Sequence, residues 1–315
     1  MLLSIVIPIF NGEETISSCI SSIINQSIND NYEIIIINDG STDNTLQIIQ
    51  DYQLKYENIL IIDQPNKGLS YSRNIGLIKA KGKWIWCVDG DDEIPPYSLN
   101  NILDILKTNE TLDIINFNFK VGNYIEKHYC CNQNIYGNAI DLFTKLPIFN
   151  AVWNKIYNKD FLLNNHITFT IGILCEDIEF NIKAFIKANR ILFSPTFIYI
   201  YKWYPTSLCH SIEKQNKIID GFIYSLKHVN EICQSHPQYL AKASFILITY
   251  INQLLRVINK NQRQEYLQNM SSIKLTYLKF AISIPYGVSR LFSISPRLCY
   301  QLQTIRSKFT QLLRR

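Results

Sequence analysis

The stretch Trp84-Ile85-Trp86-Cys87-Val88-Asp89-Gly90-Asp91-Asp92 joins an apolar run to a cluster of three carboxylates. The run 84–88 predicts a buried β-strand, because its five consecutive apolar residues leave no polar face. The carboxylates of Asp89, Asp91 and Asp92 repel one another, so the cluster is costly unless a cation lies among them. A hard divalent ion that prefers oxygen ligands fits such a set. Taken alone, the residues leave a metal site and an acidic turn after a strand equally open.

Three further apolar runs precede this stretch, and amphipathic segments separate them. We predict strands at 3–7, 33–37 and 59–62, and helices at 15–28, 42–56 and 70–80. Fully apolar strands that alternate with helices are typical of a parallel sheet covered on both faces. The sequence therefore predicts an α/β fold with a mostly parallel central sheet. Right-handed crossovers would then bring the polar loops after the strands to one edge, where ligands bind.

The pattern is less regular after residue 98. It predicts helices at 99–107, 141–146, 151–163 and 175–188, and strands at 112–119 and 197–203. The segment 123–138 is typical of a variable loop or hairpin. Beyond residue 211 the pattern is almost entirely helical.

Composition narrows the class of protein. The 315 residues are 47% hydrophobic and 18% charged, which fits a soluble globular chain of two domains or one large domain with an appendage. The eight cysteines form no Cys-x-x-Cys, so neither a zinc site nor a disulfide framework is indicated, and a reducing cytoplasm is expected. The sequence contains no run of about 18 apolar residues, so no membrane-spanning helix is predicted. The absence of Gly-x-Gly-x-x-Gly counts against a nicotinamide enzyme.

Four blocks, in this order, resemble the family 2 glycosyltransferases, which have the GT-A fold. The blocks are Ser4-Ile5-Val6-Ile7-Pro8-Ile9-Phe10-Asn11, Ile37-Asn38-Asp39-Gly40-Ser41-Thr42-Asp43, Asn66-Lys67-Gly68-Leu69-Ser70-Tyr71-Ser72-Arg73-Asn74-Ile75-Gly76 and Val88-Asp89-Gly90-Asp91-Asp92. The resemblance implies a GT-A catalytic domain over 1–210 and a basic helical C-terminal region over 211–315. Within that domain, residues 1–100 form the nucleotide-sugar-binding half and residues 101–210 the acceptor-side half.

The resemblance also implies how a UDP-sugar is held. Asp39 would contact the uracil, Pro8 and Phe10 would flank the base, and Asp89 would face the ribose or the sugar. Arg73 would hold the diphosphate through paired hydrogen bonds. Each residue also has a plainer interpretation: a turn or helix cap at Asp39, a strand end at Pro8 and Phe10, and a surface ion pair at Arg73.

The roles in metal binding and catalysis follow from the same resemblance. Asp91 would bind Mn²⁺ or Mg²⁺ with the diphosphate, and Asp92 would either bind the ion instead or orient Asp91. Asp177 in the pair Glu176-Asp177 would be the general base that takes the proton from the acceptor hydroxyl. The alternative for this pair is an acidic helix start, which is common in any protein.

Three residues are predicted on the acceptor side. Trp153 would stack on a sugar face or belong to the core, and Glu176 would lie beside the base. The resemblance implies that Lys202 could contact a phosphate, but many relatives carry Arg at this position.

The C-terminal region carries a strong positive charge. Residues 211–315 hold 15 Lys or Arg and four Asp or Glu, in a chain whose net charge is +5. Segment 297–315 forms one apolar helical stripe flanked by basic residues. Such a helix suits an anionic membrane surface, although it could also pack on the domain. No recognition motif accompanies the charge, so no nucleic-acid partner is expected. We expect a cytoplasmic protein, peripheral on the inner face of the cytoplasmic membrane.

The predicted function is therefore an inverting, metal-dependent transfer of one sugar from a UDP-sugar to a hydroxyl of a glycan or lipid-linked acceptor. The expected setting is bacterial capsule, O-antigen or lipooligosaccharide synthesis. The Gln-x-x-Arg-Trp motif of processive synthases is missing, which argues for the transfer of a single sugar. Two alternatives remain. A nucleotidyltransferase would want a Gly-rich basic loop after the first strand, and an inactive sugar-nucleotide-binding scaffold subunit would lack turnover.

Overall fold

The structure is a computed structural model, and it describes residues 1–26, 31–122, 124–125, 131, 133–139, 142, 149, 151–202, 204 and 215–236. The predicted helix at 141–146 lies almost entirely outside the described residues, and the predicted basic helix at 297–315 lies wholly outside them.

Strands and helices alternate through the first hundred residues, as the apolar periodicity predicts. The described strands are β1 Leu3–Ile9, β2 Tyr32–Asn38, β3 Ile59–Asp63, β4 Trp84–Cys87, β5 Ile114–Val121, β6 Tyr124–Ile125, β7 Ile135–Gly137, β8 Lys155–Asn158 and β9 Ile191–Tyr201. The described helices are α1 Ile16–Ile24, α2 Thr45–Gln53, α3 Leu69–Lys79, α4 Ser98–Thr108, α5 Lys159–Asn164, α6 Glu176–Lys187 and α7 Gln215–Ser235.

All described strands join one sheet in the order β3-β2-β1-β4-β8-β5-β9-β7, and β6 pairs with β5. The first four strands in this order, β3, β2, β1 and β4, are parallel to one another. Strand β8 then pairs antiparallel with both β4 and β5, whereas β5 and β9 are parallel. The predicted α/β fold with a central sheet is confirmed, and its parallel pairing is concentrated in the N-terminal half.

The predicted helix at 151–163 is wrong over its first half. Residues 155–158 form strand β8, and helix α5 begins only at Lys159. Ile156 lies between Trp86 of β4 and Ile115 of β5, and its side chain is fully buried. The two hydrogen-bonded neighbours and the burial outweigh a local helical pattern, because short apolar runs are ambiguous between helix and strand.

The sheet separates two apolar cores, because neighbouring side chains of a strand point to opposite faces. In β1, Val6 packs into one core while Ile5 and Ile7 pack into the other. Helices cover both faces, so the central strands are apolar on both sides.

Helix α7 belongs structurally to the sheet-containing body, although it lies beyond residue 210. It packs against α6, and Ile223, Ser225 and Val229 are buried there. Residues 215–235 are therefore helical, and the predicted basic helical region over 211–315 stays a prediction. None of the helices in the described ranges is long and apolar enough to cross a bilayer.

Candidate active site

The three predicted carboxylates lie together in the loop after β4. Asp89, Asp91 and Asp92 each present a carboxylate oxygen, and these oxygens lie within 4.8 Å of one another. Their exposure differs: Asp91 is exposed, Asp89 is intermediate, and Asp92 is buried. One member of the cluster therefore faces solvent while another is fixed in the protein.

Asp92 is tied to strand β9 through both of its oxygens. Oδ2 accepts a hydrogen bond from the Tyr199 hydroxyl at 2.7 Å, and Oδ1 accepts one from the Lys202 backbone N–H at 2.7 Å. The Tyr199 oxygen also accepts a hydrogen bond from the Asp89 backbone N–H at 3.1 Å. The Lys202 side chain points to Glu93, with Nζ 3.0 Å from Oε1. Lys202 thus holds the acidic loop through its main chain.

The cluster is costly in its ionised form. Burial raises the pKa of Asp92 to about 8, and the charges of Asp89 and Asp91 add to the effect. Partial desolvation and then the Asp89 charge raise the pKa of Asp91 to about 6. A divalent cation among these oxygens would favour the ionised forms. Clustered carboxylate oxygens are the ligands that Mg²⁺ and Mn²⁺ prefer, so the donor set fits such an ion.

Arg73 joins the acidic loop to the predicted catalytic pair. Its guanidinium donates from Nη2 to Asp89 Oδ1 at 2.8 Å, and from Nη1 to Glu176 Oε1 and Asp177 Oδ1, both at 2.6 Å. The Arg73 side chain is only 2% exposed, and its Cζ atom lies 5.3 Å from the centre of the Phe169 ring. In this arrangement the guanidinium is committed to three carboxylates, and the predicted diphosphate contact stays a prediction.

Asp177 is the second residue of α6. The helix begins at Glu176, and Cys175 just before it has a left-handed backbone conformation (φ 61°). Asp177 Oδ2 accepts a hydrogen bond from the Val152 backbone N–H at 3.2 Å. The pKa of Asp177 is raised to about 7, chiefly by burial; Arg73 opposes this shift, and the charges of Glu176 and Asp89 contribute to it. A carboxylate whose pKa lies near neutrality is suited to accept a proton in catalysis.

The predicted nucleotide-binding residues lie at the same sheet edge, at the ends of β1 and β2. Asp39 is buried, and its carboxylate accepts hydrogen bonds from the backbone N–H groups of Lys67 and Gly68 at 2.9 and 2.8 Å. It therefore shapes the loop before α3, whatever else it binds. Pro8 is buried in β1, whereas the Phe10 ring is 50% exposed and free to pack against a flat ligand.

Trp153 lies inside an aromatic stack. Its ring is 4.3 Å from that of Tyr199 and 5.8 Å from that of Tyr201, both at interplanar angles of 10°. Only 4% of the Trp153 surface is exposed, which favours the interpretation that Trp153 is a core residue. Stacking on a sugar stays a prediction for this residue.

Sequence reasoning missed several residues that build the site. Tyr199 connects Asp89 and Asp92, and the available signal was its phenol in the aromatic run 197–203 that predicts a strand. Gln64 donates to Asp39 Oδ1 at 2.8 Å and follows the end of β3, where edge loops carry ligands. The Val152 backbone N–H had no signal in the sequence, because any residue type supplies it.

Comparison with known proteins agrees with this geometry. The family model described as "Glycosyl transferase family 2" matches residues 4–165, which is just over half of the chain. A poly(ribitol-phosphate) beta-glucosyltransferase of Bacillus spizizenii is 34% identical over 207 residues, covering 64% of this chain and 32% of that protein. An uncharacterized glycosyltransferase of Bacillus subtilis is 31% identical over 218 residues, covering 66% of this chain and 62% of that protein. The matched region thus spans about a third and three fifths of these relatives.

Solved structures share the fold. The crystal structure of S. aureus TarS 1-349 in complex with UDP-GlcNAc aligns with a TM-score of 0.74 and 19% identity, covering 99% of this chain and 92% of that chain. At this identity the likeness establishes the common architecture of the sheet and its helices.

Proposed function

Because the chain belongs to glycosyl transferase family 2, we propose that it transfers one sugar from a UDP-sugar to an acceptor hydroxyl with inversion at the anomeric carbon. The observation that carries the proposal is the Arg73 cluster. One guanidinium holds Asp89 of the donor-side loop and Asp177 of the acceptor-side helix, at 2.8 and 2.6 Å. This contact supports the proposal, because the residue proposed to bind the donor and the residue proposed as the base lie against the same side chain.

The proposed metal ligand is Asp91. Its carboxylate is exposed beside Asp89, whereas both oxygens of Asp92 already accept hydrogen bonds from β9 and the residue after it. We therefore assign Asp92 the role of fixing the loop and Asp91 that of contacting Mn²⁺ or Mg²⁺. When bound, such an ion supplies positive charge that stabilises the leaving diphosphate.

Asp177 is the proposed general base. In a single displacement the acceptor oxygen forms a bond to the anomeric carbon, and the bond from that carbon to the UDP oxygen breaks with its electron pair on UDP. The acceptor proton passes to the Asp177 carboxylate. Arg73 and the Val152 N–H hold that carboxylate through one oxygen each, so its orientation is fixed before the acceptor arrives.

The uridine end of the donor would lie against Phe10 and Pro8, with Asp39 accepting a hydrogen bond from the uracil N–H. Asp39 Oδ2 keeps a lone pair for this contact, because each carboxylate oxygen can accept two hydrogen bonds and Oδ2 accepts one, from the Gly68 N–H. Oδ1 already accepts two, from Gln64 and from the Lys67 N–H. The complex of TarS with UDP-GlcNAc supports a UDP-sugar donor for this fold. The Arg73 Nη1 and Nη2 groups already donate to three carboxylates, so we propose that the backbone N–H groups in the first turn of α3, after Gly68, contact the diphosphate.

For the acceptor we propose a hydroxyl of a bacterial surface glycan or its lipid-linked precursor, with Glu176 and Lys202 on the side from which it approaches. The glucosyltransferase relative acts on a poly(ribitol-phosphate), and the C-terminal region, with its 15 Lys or Arg, is suited to an anionic membrane surface. The proposed location is the inner face of the cytoplasmic membrane.

The test measures UDP release from UDP-glucose, UDP-galactose and UDP-GlcNAc, with Mn²⁺, Mg²⁺ or a chelator, and with short glycans or a lipid-linked sugar as acceptors. We expect metal-dependent release with one donor. Asp91→Asn and Asp177→Asn should each lower the rate by about 10²–10⁴-fold, whereas Asp104→Asn on the exposed face of α4 should not. Asp177→Asn should still bind UDP with Mn²⁺, and Asp91→Asn should not.

Full activity in either variant would overturn the role assigned to that residue. UDP binding without turnover of any donor would favour the inactive scaffold subunit. Release of pyrophosphate from a nucleoside triphosphate would instead identify a nucleotidyltransferase.

A further inference from the structure

A buried lysine lies next to the proposed base and has no part in the function so far. Lys155 is 0% exposed. Its Nζ donates to the backbone oxygens of Phe149 and Ala151 at 2.8 and 2.6 Å, and to Asn154 Oδ1 at 2.8 Å. Ala151 and Asn154 belong to the turn that precedes β8, and the lysine at the start of that strand reaches back to them and to the Phe149 carbonyl.

The number of acceptors indicates the charge on Lys155. An ammonium has three N–H donors and a neutral amine has two, so three acceptors are satisfied together only by the charged form. Burial lowers the pKa of Lys155 to about 7, and the nearby Asp177 carboxylate raises it. The Nζ also lies 5.8 Å from the centre of the Phe185 ring, at a distance typical of a cation–π contact.

The same turn contacts the base. The Val152 backbone N–H donates to Asp177 Oδ2, and the Val152 carbonyl accepts a hydrogen bond from the backbone N–H of Lys155 at 3.1 Å. The next carbonyl, of Trp153, accepts one from Trp86 Nε1 at 2.6 Å. The turn is thus anchored to β4 and closed from within by the lysine, with one N–H aimed at the carboxylate.

We propose that Lys155 is a positioning residue for the transfer reaction, because its ammonium fixes the turn that aims the Val152 N–H at Asp177. The inference rests on the proposed function, in which Asp177 is the base. A hydrogen bond to a carboxylate favours the ionised form, which is the form able to accept a proton. Without the ammonium the turn loses three hydrogen bonds, and Asp177 loses both a fixed N–H and a nearby positive charge.

Lys155→Met keeps most of the aliphatic stem and removes the charge and the donors. We expect kcat for UDP release to fall about 10–100-fold, with KM for the UDP-sugar changed less than about twofold. The acid limb of the kcat–pH profile, which reports ionisation of the base, should move up by about one pH unit. Circular dichroism and binding of UDP with Mn²⁺ confirm that the variant is folded.

Lys183→Met is the matched control. Lys183 is also a buried lysine, 7% exposed, but its Nζ donates to the Thr168 carbonyl and pairs with Glu179, away from Asp177. We expect it to lower thermal stability without moving the acid limb. If Lys155→Met does not fold, Asn154→Ala removes one acceptor of the ammonium and should move the limb in the same direction by less.

The decisive measurement places Lys155→Met in the Asp177→Asn background. If the lysine acts through the base, residual UDP release should fall no further in the double variant. An equal loss in both backgrounds, or an unmoved acid limb in folded Lys155→Met or Asn154→Ala, overturns the inference. A fully active Asp177→Asn overturns the proposed function itself, so the two failures are distinguishable.

Discussion

Replacing Arg73 with Met should expose how much the site depends on one buried cation. The guanidinium contacts three carboxylates at 2.6–2.8 Å, on Asp89, Glu176 and Asp177, whose side chains are 27%, 10% and 20% exposed. Removing one partner of a buried ion pair costs about 3–5 kcal/mol, because the remaining charge is left uncompensated. We expect the free energy of unfolding of Arg73→Met at pH 8 to fall by about this amount.

The loss should depend on pH with a definite sign. Burial already raises the pKa of Asp177 to about 7 with Arg73 opposing it, so removing the arginine raises that pKa further. A carboxyl whose folded pKa is above its unfolded value stabilises the fold at low pH, and this contribution is lost as the pH rises through the folded pKa. The destabilisation of Arg73→Met should therefore be largest at pH 8 and smaller at pH 5.5, where the carboxyls bind protons.

Urea unfolding followed by circular dichroism at the two pH values measures this prediction. Lys83→Met is the control, because Lys83 forms an exposed pair with Glu110 at 2.9 Å that should contribute nothing measurable. A destabilisation of less than about 1 kcal/mol at pH 8, or equal destabilisation at both pH values, would show that the three carboxylates do not depend on the Arg73 charge. In that case the three carboxylates would be protonated or hydrated without the arginine.

Two further changes test the supports of the site. Tyr199→Phe removes the hydrogen-bond donor to Asp92 Oδ2, and leaving a buried acceptor unsatisfied costs about 1–3 kcal/mol of stability. We also expect the variant to need several-fold more Mn²⁺ for half-maximal UDP release. An unchanged Mn²⁺ titration would contradict the link between Tyr199 and the metal-binding loop. Gly221→Ala in α7 places a Cβ 1.9 Å from the Leu174 carbonyl oxygen, three residues before the base. This clash should outweigh the gain in helix propensity of about 1 kcal/mol and should lower both the melting temperature and kcat. Lys217→Ala, on the exposed side of α7, should change neither. A Gly221→Ala variant more stable than the parent would show that α7 does not pack tightly against the Leu174 loop.

The N-terminal half of the fold was predictable because its signals are local. Strands such as β2 are apolar at nearly every position, and each helix that follows has its own apolar stripe, so period and length identify both. Strand β8 was not predictable in this way. Its few residues become a strand only because β4 and β5 supply hydrogen-bond partners on both sides, and neither partner is near it in sequence.

The candidate site divides along the same line. The acidic residues at 89–92 and 176–177 were identifiable because they belong to short local motifs that resemble those of the family. Their pairing was not, because Arg73 lies 103 and 104 residues from Glu176 and Asp177 along the chain. The sequence prediction paired Arg73 with a diphosphate, whereas the structure surrounds it with carboxylates.

The class of fold, the sheet edge that carries the site and the residue types available there follow from the amino-acid sequence, since they depend on hydrophobic period and on motifs a few residues long. Folding establishes which carboxylate is anchored and which is exposed, which one has a pKa near 7, that Tyr199 holds Asp92, and that Lys155 bonds to the turn beside Asp177. These properties depend on burial and on hydrogen bonds between distant segments, and electrostatic interactions change steeply with both.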